Sequence, residues 1–348
     1  MADTSQDSLS SFVSSLTGGD GLRVEERLGS GFVRLRVSEA ERRQAKHDIR
    51  CVEDAVIELL RNARDAGATR IFLASSREGN VRSLIVIDDG SGIPAEMQER
   101  VFDARVTSKL DTMCMDRWGV HGRGMALYSI RENALEAKVC DSHVGKGCAL
   151  KVDFDASRIT ERADQSSWPS VSEAEGGYSC KGPRNIIRAA VEFGLETLQT
   201  CNVYVGSPSE IVATMRARVR PQTLPGTEPL LVERAALAQN AHELAEVAAG
   251  LGLDMSERTA HRIVRGEIEP LRNVRLAVLG PTAARVSKDD FVTRRLALSA
   301  EDRQELADEF QEVFSRILER YYLRPSEAPR IRIVDNKMTV TLSYEEDE

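Results

Sequence analysis

The sequence predicts an α+β fold in which helices cover one face of a mixed β-sheet, followed by a small α/β region and a mainly helical C-terminal part. Three observations predict it. Apolar residues alternate over short runs, turn residues join most of these runs as hairpins, and helical stretches fall between pairs of strands. Helices placed between hairpins pack on one face of a sheet, so we expect later parts of the chain to cover the other face.

The composition indicates a globular protein. The chain has 348 residues, of which 41% are hydrophobic and 29% are charged, enough for two or three domains. The net charge of −8 repels phosphate backbones, so contact with nucleic acid requires a local basic patch. We find no charged-then-apolar leader and no apolar run near the ~18 residues that cross a bilayer, which predicts a cytoplasmic protein without membrane contact.

The six cysteines show no zinc-ligand spacing and no C-x-x-C pair. We interpret them as reduced thiols, most of them buried. They are Cys51, Cys114, Cys140, Cys148, Cys180 and Cys201.

The first elements are an arm and a hairpin. Residues 1–21 are rich in Ser, Gly, Asp and Thr, which predicts a mobile arm. Phe32 to Val37 alternates as a strand does, and the Gly29-Ser30-Gly31 run before it is typical of a hairpin turn. A phosphate loop is the alternative for this glycine pair, but no helix or lysine follows at P-loop spacing.

A helix is predicted from about Glu39 to Ala66, and its surface carries the first chemical signal. Glu58, Asn62 and Asp65 fall at spacings of four and three residues, so they form a polar seam beside the apolar stripe. Asn62 can supply a hard oxygen to Mg²⁺, and Glu58 can polarise a water aimed at a γ-phosphate. The alternative is a solvated pair on the helix surface. The apolar stripe consists of Val52, Val56, Leu59 and Ala63.

The second signal ends the next pair of strands, Ile71–Leu73 and Leu84–Ile87, which turn at Gly79-Asn80. Asp88 follows an apolar strand, where a buried carboxylate requires a partner, and an adenine amino group is a suitable donor. The run that continues through Gly90, Gly92 and Ile93 lets the backbone approach the base. A plain Asp-Gly turn is the alternative.

The third and fourth signals follow a short helix after Pro94. In the loop from Asp103 to Trp118, two hydroxyls and an ammonium group can close over the γ-phosphate. The next glycine-rich run leads into a predicted helix at 122–133, whose N-terminal amides would hold phosphates, with Lys109 and Arg123 adding positive charge. A flexible glycine loop is the alternative. The two signals comprise Thr107, Ser108 and Lys109, and Gly119, Val120, His121, Gly122, Arg123, Gly124 and Met125.

In this order, the four signals predict one magnesium-nucleotide site and an ATPase. They resemble the GHKL (Bergerat-fold) ATPases, a superfamily of type II topoisomerase ATPase subunits, histidine kinases, ninety-kilodalton heat-shock chaperones and MutL mismatch-repair proteins. The resemblance covers residues 22–155. The segments Glu58–Ala68 and Val106–Leu110 are most similar to MutL, whereas Gly119–Gly124 is more similar to gyrase.

The resemblance implies ATP and Mg²⁺ as cofactors bound to a Bergerat-type sheet. It implies Glu58 as general base, Asn62 as the Mg²⁺ ligand, Asp88 as the adenine-reading residue, and the turn at 119–124 as a phosphate cradle in a mobile lid. It also implies hydrolysis rather than protein phosphorylation, since histidine kinases typically carry His or Asn at the position of Glu58. His47, earlier on the predicted helical segment, is interpreted as structural.

Two features depart from the family pattern. Cys148 follows the turn at 145–147, between strands predicted at 138–142 and 149–154, where the family commonly places Thr; this weakens a water-mediated contact with adenine. Topoisomerases and MutL also bring a lysine from a second domain to the γ-phosphate. The candidates in this chain are Lys151, Lys181 and Lys288.

Beyond the ATPase-like segment, residues 156–230 predict a linker or long loop at 166–182 and a small α/β region, a candidate transducer of nucleotide state. Its elements are helices at 185–197 and 208–219 with a strand at 202–205.

Residues 231–298 predict a helical region that contains a candidate DNA contact. The segment 244–279 resembles a Cro/repressor-type helix-turn-helix with its recognition helix at 256–264. Between Arg258 and Arg275 the local charge is +3, which suits phosphate contacts. An ordinary helical hairpin is the favoured interpretation of this pattern, and a DNA-binding helix-turn-helix is the alternative.

Residues 299–348 predict an amphipathic helix followed by a hairpin at 331–335 and 338–344. We expect the helix to pack on its own core, with dimerisation as the alternative. Its stripe consists of Leu306, Phe310, Val313, Ile317 and Tyr321.

The sequence therefore predicts a protein that binds Mg-ATP and hydrolyses it slowly, and whose nucleotide state controls association with itself or with a macromolecular partner. The expected partners are a second copy on ATP binding, DNA through 244–279, and an unidentified protein; DNA repair or topology follows from analogy with the family. The alternative is a nucleotide-sensing regulator that binds DNA or protein and hydrolyses little. Glu58 disfavours a signalling kinase.

Overall fold

The structure is a computed structural model. It describes residues 24–108, 114–116, 119–121, 124–174, 177–197, 200–221, 227–280, 300–318, 321, 323–334 and 337–346. The chain divides into two units, residues 1–286 and residues 287–348. The arm predicted at 1–21 lies outside the described residues.

The strands, in chain order, are β1 (Val24–Gly29), β2 (Phe32–Leu35), β3 (Arg70–Glu78), β4 (Val81–Asp88), β5 (Val106–Thr107), β6 (Cys114–Asp116), β7 (Gly119–His121), β8 (Glu136–His143), β9 (Gly147–Asp155), β10 (Ser170–Ala174), β11 (Gly177–Lys181), β12 (Asn202–Gly206), β13 (Leu323–Val334) and β14 (Lys337–Glu346). The helices are α1 (Glu39–Asp48), α2 (Val52–Asp65), α3 (Ala126–Asn133), α4 (Ile186–Glu196), α5 (Pro208–Arg218), α6 (Arg234–Leu237), α7 (Ala241–Gly250), α8 (Glu257–Val264), α9 (Val274–Leu279) and α10 (Ala300–Leu318).

A five-stranded mixed sheet organises the first unit, in the order β12-β3-β4-β9-β8. The hairpins β3-β4 and β8-β9 and the pair β4-β9 are antiparallel, whereas β12 runs parallel to β3. In this register Asp88 lies between Ile71 on one neighbouring strand and Cys148 on the other. These three side chains therefore share one face, because residues opposite each other in a sheet point the same way. The predicted mixed sheet is confirmed.

That face, the front face, is covered by helices α2 and α4. Leu73, Val86 and Leu150 from three adjacent strands form one apolar cluster with Leu60 of α2 and Phe193 of α4. The helices form because apolar residues return every three or four positions, and the side chains on the resulting stripe are almost fully buried.

The back face alternates with the front face along each strand. Phe72, Ile85 and Ala149 form a second cluster with side chains of α5 to α8, among them Ile211 and Leu244. The start of α5 is fixed by a capping box at Ser207. Later parts of the chain thus cover the second face of the sheet, as the sequence predicts.

Two predicted elements differ from the structure. The helix expected from Glu39 to Ala66 is divided into α1 and α2, so His47 lies on a different helix from Glu58. The break occurs because Cys51 forms an isolated parallel bridge with Thr160, whose carbonyl accepts a hydrogen bond of 3.1 Å from Val52 N. The stretch predicted as a linker at 166–182 contains the antiparallel hairpin β10-β11.

Other segments follow the sequence pattern more closely. The predicted strand at 202–205 exists as β12 and lies at the edge of the central sheet beside β3. In the second unit, α10 packs on the hairpin β13-β14, whose strands are longer than predicted. The domain boundaries at 155, 230 and 298 stay predictions.

Candidate functional site

Helix α2 presents the polar seam that the sequence predicts. Its stripe residues Val52, Val56 and Ala63 are buried against the sheet, and this packing fixes the rotation of the helix. At the end of the seam, Asp65 is 21% exposed in its side chain and accepts a hydrogen bond of 3.1 Å from Arg64 Nε.

Glu58, one turn before Asn62 on this helix, forms an ion pair that the sequence analysis did not single out. Arg61 Nη1 donates to Glu58 Oε1 at 2.6 Å. The arginine side chain is 4% exposed and the glutamate side chain 23%. A spacing of three residues on a helix was the available signal, since such positions are neighbours on the helix surface.

Asn62 carries an unsatisfied amide. Its Nδ2 atom is buried and has no hydrogen-bond partner in the part of the chain that the structure describes. Burying such a group without a partner costs free energy, and the two ends of an amide exchange by a half rotation of the side chain. The residue therefore fits a ligand that takes up the amide, including a cation bound through the carbonyl oxygen.

Asp88 ends β4 on the front face, the face that α2 covers. It is 5% exposed, and its Oδ1 accepts a hydrogen bond of 2.8 Å from Gly90 N. The neighbouring Asp89 has a different role: its carboxylate accepts from the backbone and side chain of both Thr69 and Arg70, at 2.7 to 2.8 Å. Asp89 therefore binds the residues at the start of β3, whereas Asp88 lies on the front face, which α2 covers.

The run after Asp89 lies in contact with the end of α2. Ser91 N donates to Ala66 O at 2.9 Å, and a side chain at Gly90 would approach that carbonyl to 2.8 Å. Gly92 has φ +68°, and a side chain there would overlap the backbone of His143. Ile93 N donates to Ser142 Oγ at 2.7 Å. The glycines thus bring three backbone segments together beside Asp88.

Cys148 lies opposite Asp88 on β9, at the position where the sequence departs from the family pattern. The thiol is buried. Burial raises its pKa strongly, and the Asp88 carboxylate raises the pKa further because it disfavours a second negative charge. The thiol is therefore neutral at physiological pH and offers only a weak hydrogen bond.

The loop residues of the third signal adjoin Gly124. Thr107 lies in β5, which pairs with β2, and the next residue, Ser108, is exposed. Arg105 N donates to Gly124 O at 2.8 Å, so the two loop segments are held together. Gly124 has φ +66°, and a side chain there would approach Val106 O to 3.0 Å.

The helix start of the fourth signal differs from the prediction. Helix α3 begins at Ala126 rather than at Gly122, and Met125 occupies the N-cap position without a side-chain cap. Gly119 to His121 form β7, which pairs with β6, so these residues are strand and do not open the helix. The extended pairing of 114–116 with 119–121 overrides the glycine pattern. Lys109, Gly122 and Arg123 lie outside the described residues.

The lysines considered for the γ-phosphate lie elsewhere. Lys151 alternates with the front-face residues Leu150 and Val152, and its Nζ lies 3.8 Å from Asp153 and 3.6 Å from Asp254. It therefore belongs to the back face, away from α2. Lys181 is exposed in β11, and Lys288 lies outside the described residues.

The predicted helix-turn-helix segment, 244–279, contains most of α7 together with α8 and α9. Helices α7 and α8 pack on each other and are joined by residues 251–256. Ser256 caps α8 through Thr259 N, at 3.2 Å, and Ala260 and Ile263 are buried. The opposite side of α8 borders an open hollow of about 640 Å³. The hollow is lined by Glu257, Arg258, His261, Arg262, Arg265 and Glu267.

Residues 49–175 match the protein family described as histidine kinase-, DNA gyrase B-, and HSP90-like ATPase. The DNA mismatch repair protein MutL of Thermus aquaticus is 43% identical over 84 residues, which are 24% of this chain and 15% of that protein. MutL of Staphylococcus aureus (strain Newman) is 44% identical over 77 residues, 22% of this chain and 11% of the relative. The chain thus spans less than a sixth of the length of these relatives.

Among solved structures, the mycobacterial sensor histidine kinase MprB aligns with 18% identity and a TM-score of 0.21, over 35% of this chain and 74% of that one. In the described residues, no helix combines the length and the apolar character needed to cross a membrane.

Proposed function

We infer, from the GHKL ATPase domain that residues 49–175 form, that this protein binds Mg-ATP on the front face of its sheet and hydrolyses it slowly. The observation that carries the inference is the meeting of two acidic segments on that face. Asp88 is buried there, and the run that follows it is hydrogen-bonded to the end of α2, the helix of Glu58 and Asn62. The unsatisfied amide of Asn62 beside this junction supports a bound ligand.

In this proposal Asp88 accepts a hydrogen bond from the adenine amino group. A buried carboxylate is stabilised by each donor that it gains, so a base that lacks this amino group would bind less tightly. Gly90, Gly92 and Ile93 shape the base site, because side chains at the two glycines would fill it or displace the neighbouring backbone. Cys148 lies beside Asp88 as an apolar wall rather than as a hydroxyl donor.

At the phosphate end, Asn62 would hold Mg²⁺ through its amide oxygen, with Asp65 nearby on the same helix face. The bound ion supplies neutralisation of the phosphate charge. Glu58 would act as general base, accepting the proton of a water directed at the γ-phosphate. The hydroxyls of Thr107 and Ser108, together with Lys109 and the segment 119–125, would contact the phosphates as a lid.

We also propose that nucleotide state controls association with a second copy or with a macromolecular partner. The support is a contact between the loop that carries Thr107 and the segment at Gly124: because Arg105 N donates to Gly124 O, a nucleotide bound at one segment would also affect the other. Because part of the chain is similar in sequence to the DNA mismatch repair protein MutL, we propose DNA repair as the process in which this association takes place.

The test of hydrolysis is a comparison of the wild-type protein with Glu58→Gln. Gln is preferred to Ala because its carbonyl still accepts a hydrogen bond from the buried Arg61, so the fold is disturbed less. Phosphate release should fall by about 10²–10⁴-fold, the usual contribution of general base catalysis, with the Kd for ATP unchanged. A wild-type protein that binds ATP and releases no phosphate would instead favour a nucleotide sensor.

A DNA-binding regulator is the second candidate function, and one observation favours it. Arg258 and Arg262 lie on the solvent side of α8 and Arg265 directly follows the helix, while Ala260 and Ile263 on the other side anchor the helix to the core. Exposed cations along a helix suit the phosphates of a DNA groove. Glu267 pairs with Arg262 at 3.3 Å and with Arg265 at 3.9 Å, so DNA must displace these exposed ion pairs.

A further inference from the structure

Helix α2 buries a full positive charge next to the candidate general base. Arg61 is 3% exposed, and an arginine in such a place is strongly destabilising without a partner because its charge has lost its water. Glu58 Oε1 accepts its Nη1 hydrogen at 2.6 Å, which is short for an N–H donor and typical of a charge-assisted bond. Burial in the packed helix restricts the Arg61 side chain, and the hydrogen bond from Arg61 in turn restricts the Glu58 carboxylate.

We propose that Arg61 is a positioning residue for ATP hydrolysis, which fixes the Glu58 carboxylate in the orientation that accepts a proton from water. This inference rests on the proposed function. A glutamate side chain turns about three bonds, and Glu58 is partly exposed, so a solvent-facing carboxylate of this kind samples many orientations. A guanidinium group that is itself immobile removes most of them, because its donors are set in a rigid plane.

The size of the expected effect follows from the geometry. Displacing a reacting group by about 1 Å costs roughly 10²-fold in rate. Arg61 contacts the general base Glu58 and is not expected to contact the nucleotide. Its loss should therefore lower kcat and leave the affinity for ATP unchanged. A purely structural residue would change the stability of the protein and the two kinetic parameters without this separation.

The structure offers a matched control at Arg82. Its Nε lies 2.6 Å from Glu161 Oε2, the same distance as in the Arg61 pair, and its side chain is 9% exposed. Arg82 lies near the start of β4, whereas Asp88 lies at its end. Arg82→Met therefore removes a buried ion pair of similar geometry from the sheet that α2 covers, without touching the candidate site.

The experiment compares Arg61→Met, Arg61→Lys and Arg82→Met in the full-length chain, with kcat and KM from phosphate release, the Kd for ATP, and thermal unfolding. We expect Arg61→Met to lower kcat by about 10- to 100-fold with the Kd for ATP within twofold of the wild type. Arg61→Lys should be faster than Arg61→Met and slower than the wild type, since its ammonium group keeps the charge beside the carboxylate but lacks the rigid plane of donors. Arg82→Met should lose stability and keep its kcat within twofold.

Three results overturn the proposal: a wild-type rate in Arg61→Met, a rise in the Kd for ATP equal to the loss of kcat, or an equal loss of kcat in Arg82→Met. If Arg61→Met does not fold, Arg61→Gln, which keeps a donor without the charge, carries the same comparison. These failures are distinct from failure of the proposed function. That function fails when the wild-type protein releases no phosphate, whereas the positioning role alone fails when Glu58→Gln is inactive and the Arg61 variants are not.

Discussion

Two charged regions of the first unit differ in how far their charges are exposed to water: the front face of the central sheet and the outer surface of α8. On the front face, Arg61 and Asp88 are 3% and 5% exposed, and both are held by neighbouring groups. At the outer surface of α8, Arg262 in the helix and Arg265 just after it are 54% and 71% exposed in their side chains, and their carboxylate partner Glu267 is 46% exposed. Both sets of charges lie in one compact unit of the same chain.

The difference separates two kinds of site. A desolvated charge acts strongly on a small ligand because little water screens it, and it must be fixed by partners to be tolerated. An exposed charge contributes little to stability, but it can exchange a carboxylate partner for a phosphate. The front face therefore suits nucleotide chemistry, and the surface of α8 suits a reversible contact with a polyanion.

The largest effect is expected where a partner is removed from a buried charge. Glu58→Ala should destabilise the fold by about 3–5 kcal/mol, because it leaves Arg61 buried without this carboxylate. Glu312→Ala is the exposed counterpart: Glu312 pairs with Arg316 at 3.1 Å, but its side chain is 77% exposed. That variant should change stability by about 0–1 kcal/mol. Urea unfolding of both variants measures the contrast, which disappears if the two losses are equal.

A slightly smaller effect is expected for the backbone beside Asp88. Gly92→Ala should destabilise by about 2–4 kcal/mol, since it combines a strained φ with overlap of the His143 backbone. Gly79→Ala, at the far turn of the same sheet, has φ +57° and open space around it, so about 1 kcal/mol is expected. Thermal unfolding measures both. Equal losses would show that the close packing around Gly92 adds nothing.

Removing a positive charge from the surface of α8 should weaken DNA binding and leave nucleotide binding unchanged. Arg262→Ala should weaken binding to duplex DNA and reduce the salt dependence of log K by about 0.9, the value for one phosphate contact. The Kd for ATP should not change. Fluorescence anisotropy over a range of salt concentrations measures the slope. Glu246→Ala, on the preceding helix, is a control at an exposed residue outside the hollow. An unchanged slope in Arg262→Ala would contradict a phosphate contact at this residue.

The smallest effect concerns alkaline pH. Burial raises the pKa of the Cys51 thiol from about 9 to about 11, with nearby Asp54 and Glu53 carboxylates adding to the rise. The unfolded chain loses this proton first, so the contribution of Cys51 to stability is complete below pH 9 and is lost as pH rises towards 11. In Cys51→Ala, the decline in unfolding free energy between pH 9 and 11 should be shallower. An identical decline would remove Cys51 as a cause.

The sequence predicts the front-face strands and the seam on α2 because both depend on local periodicity. The break between α1 and α2 does not depend on local periodicity, because it is caused by a backbone contact with Thr160, more than one hundred residues later in the chain. The hairpin β10-β11 was not predicted, although the alternation of Val171 with polar neighbours, and of Tyr178 with Cys180, indicates its two strands.

As with the fold, the parts of the candidate site that depend on local sequence could be predicted, and those that depend on strand pairing could not. Glu58, Asn62 and Asp88 could be selected from spacing and from the end of an apolar strand. The distinction between Asp88 and Asp89 could not, because it depends on which carboxylate Thr69 and Arg70 reach after the sheet has formed. The strand at 119–121 could not be predicted for the same reason. It forms by pairing with 114–116, whereas the glycine pattern alone favours a loop.

The most direct measurement of the central claim is the binding of Mg-ATP to the wild-type protein, to Asp88→Asn and to Asp89→Asn, by calorimetry. An asparagine at 88 places an amide donor against the adenine amino group and removes a charged acceptor, a loss of about 1.5–3 kcal/mol, or roughly 10- to 150-fold in Kd. Asp89→Asn should lower the melting temperature through its Thr69 and Arg70 contacts, while the folded protein binds as the wild type does. Wild-type protein that does not bind Mg-ATP, or an Asp88→Asn variant that binds it equally well, would contradict a nucleotide site on the front face.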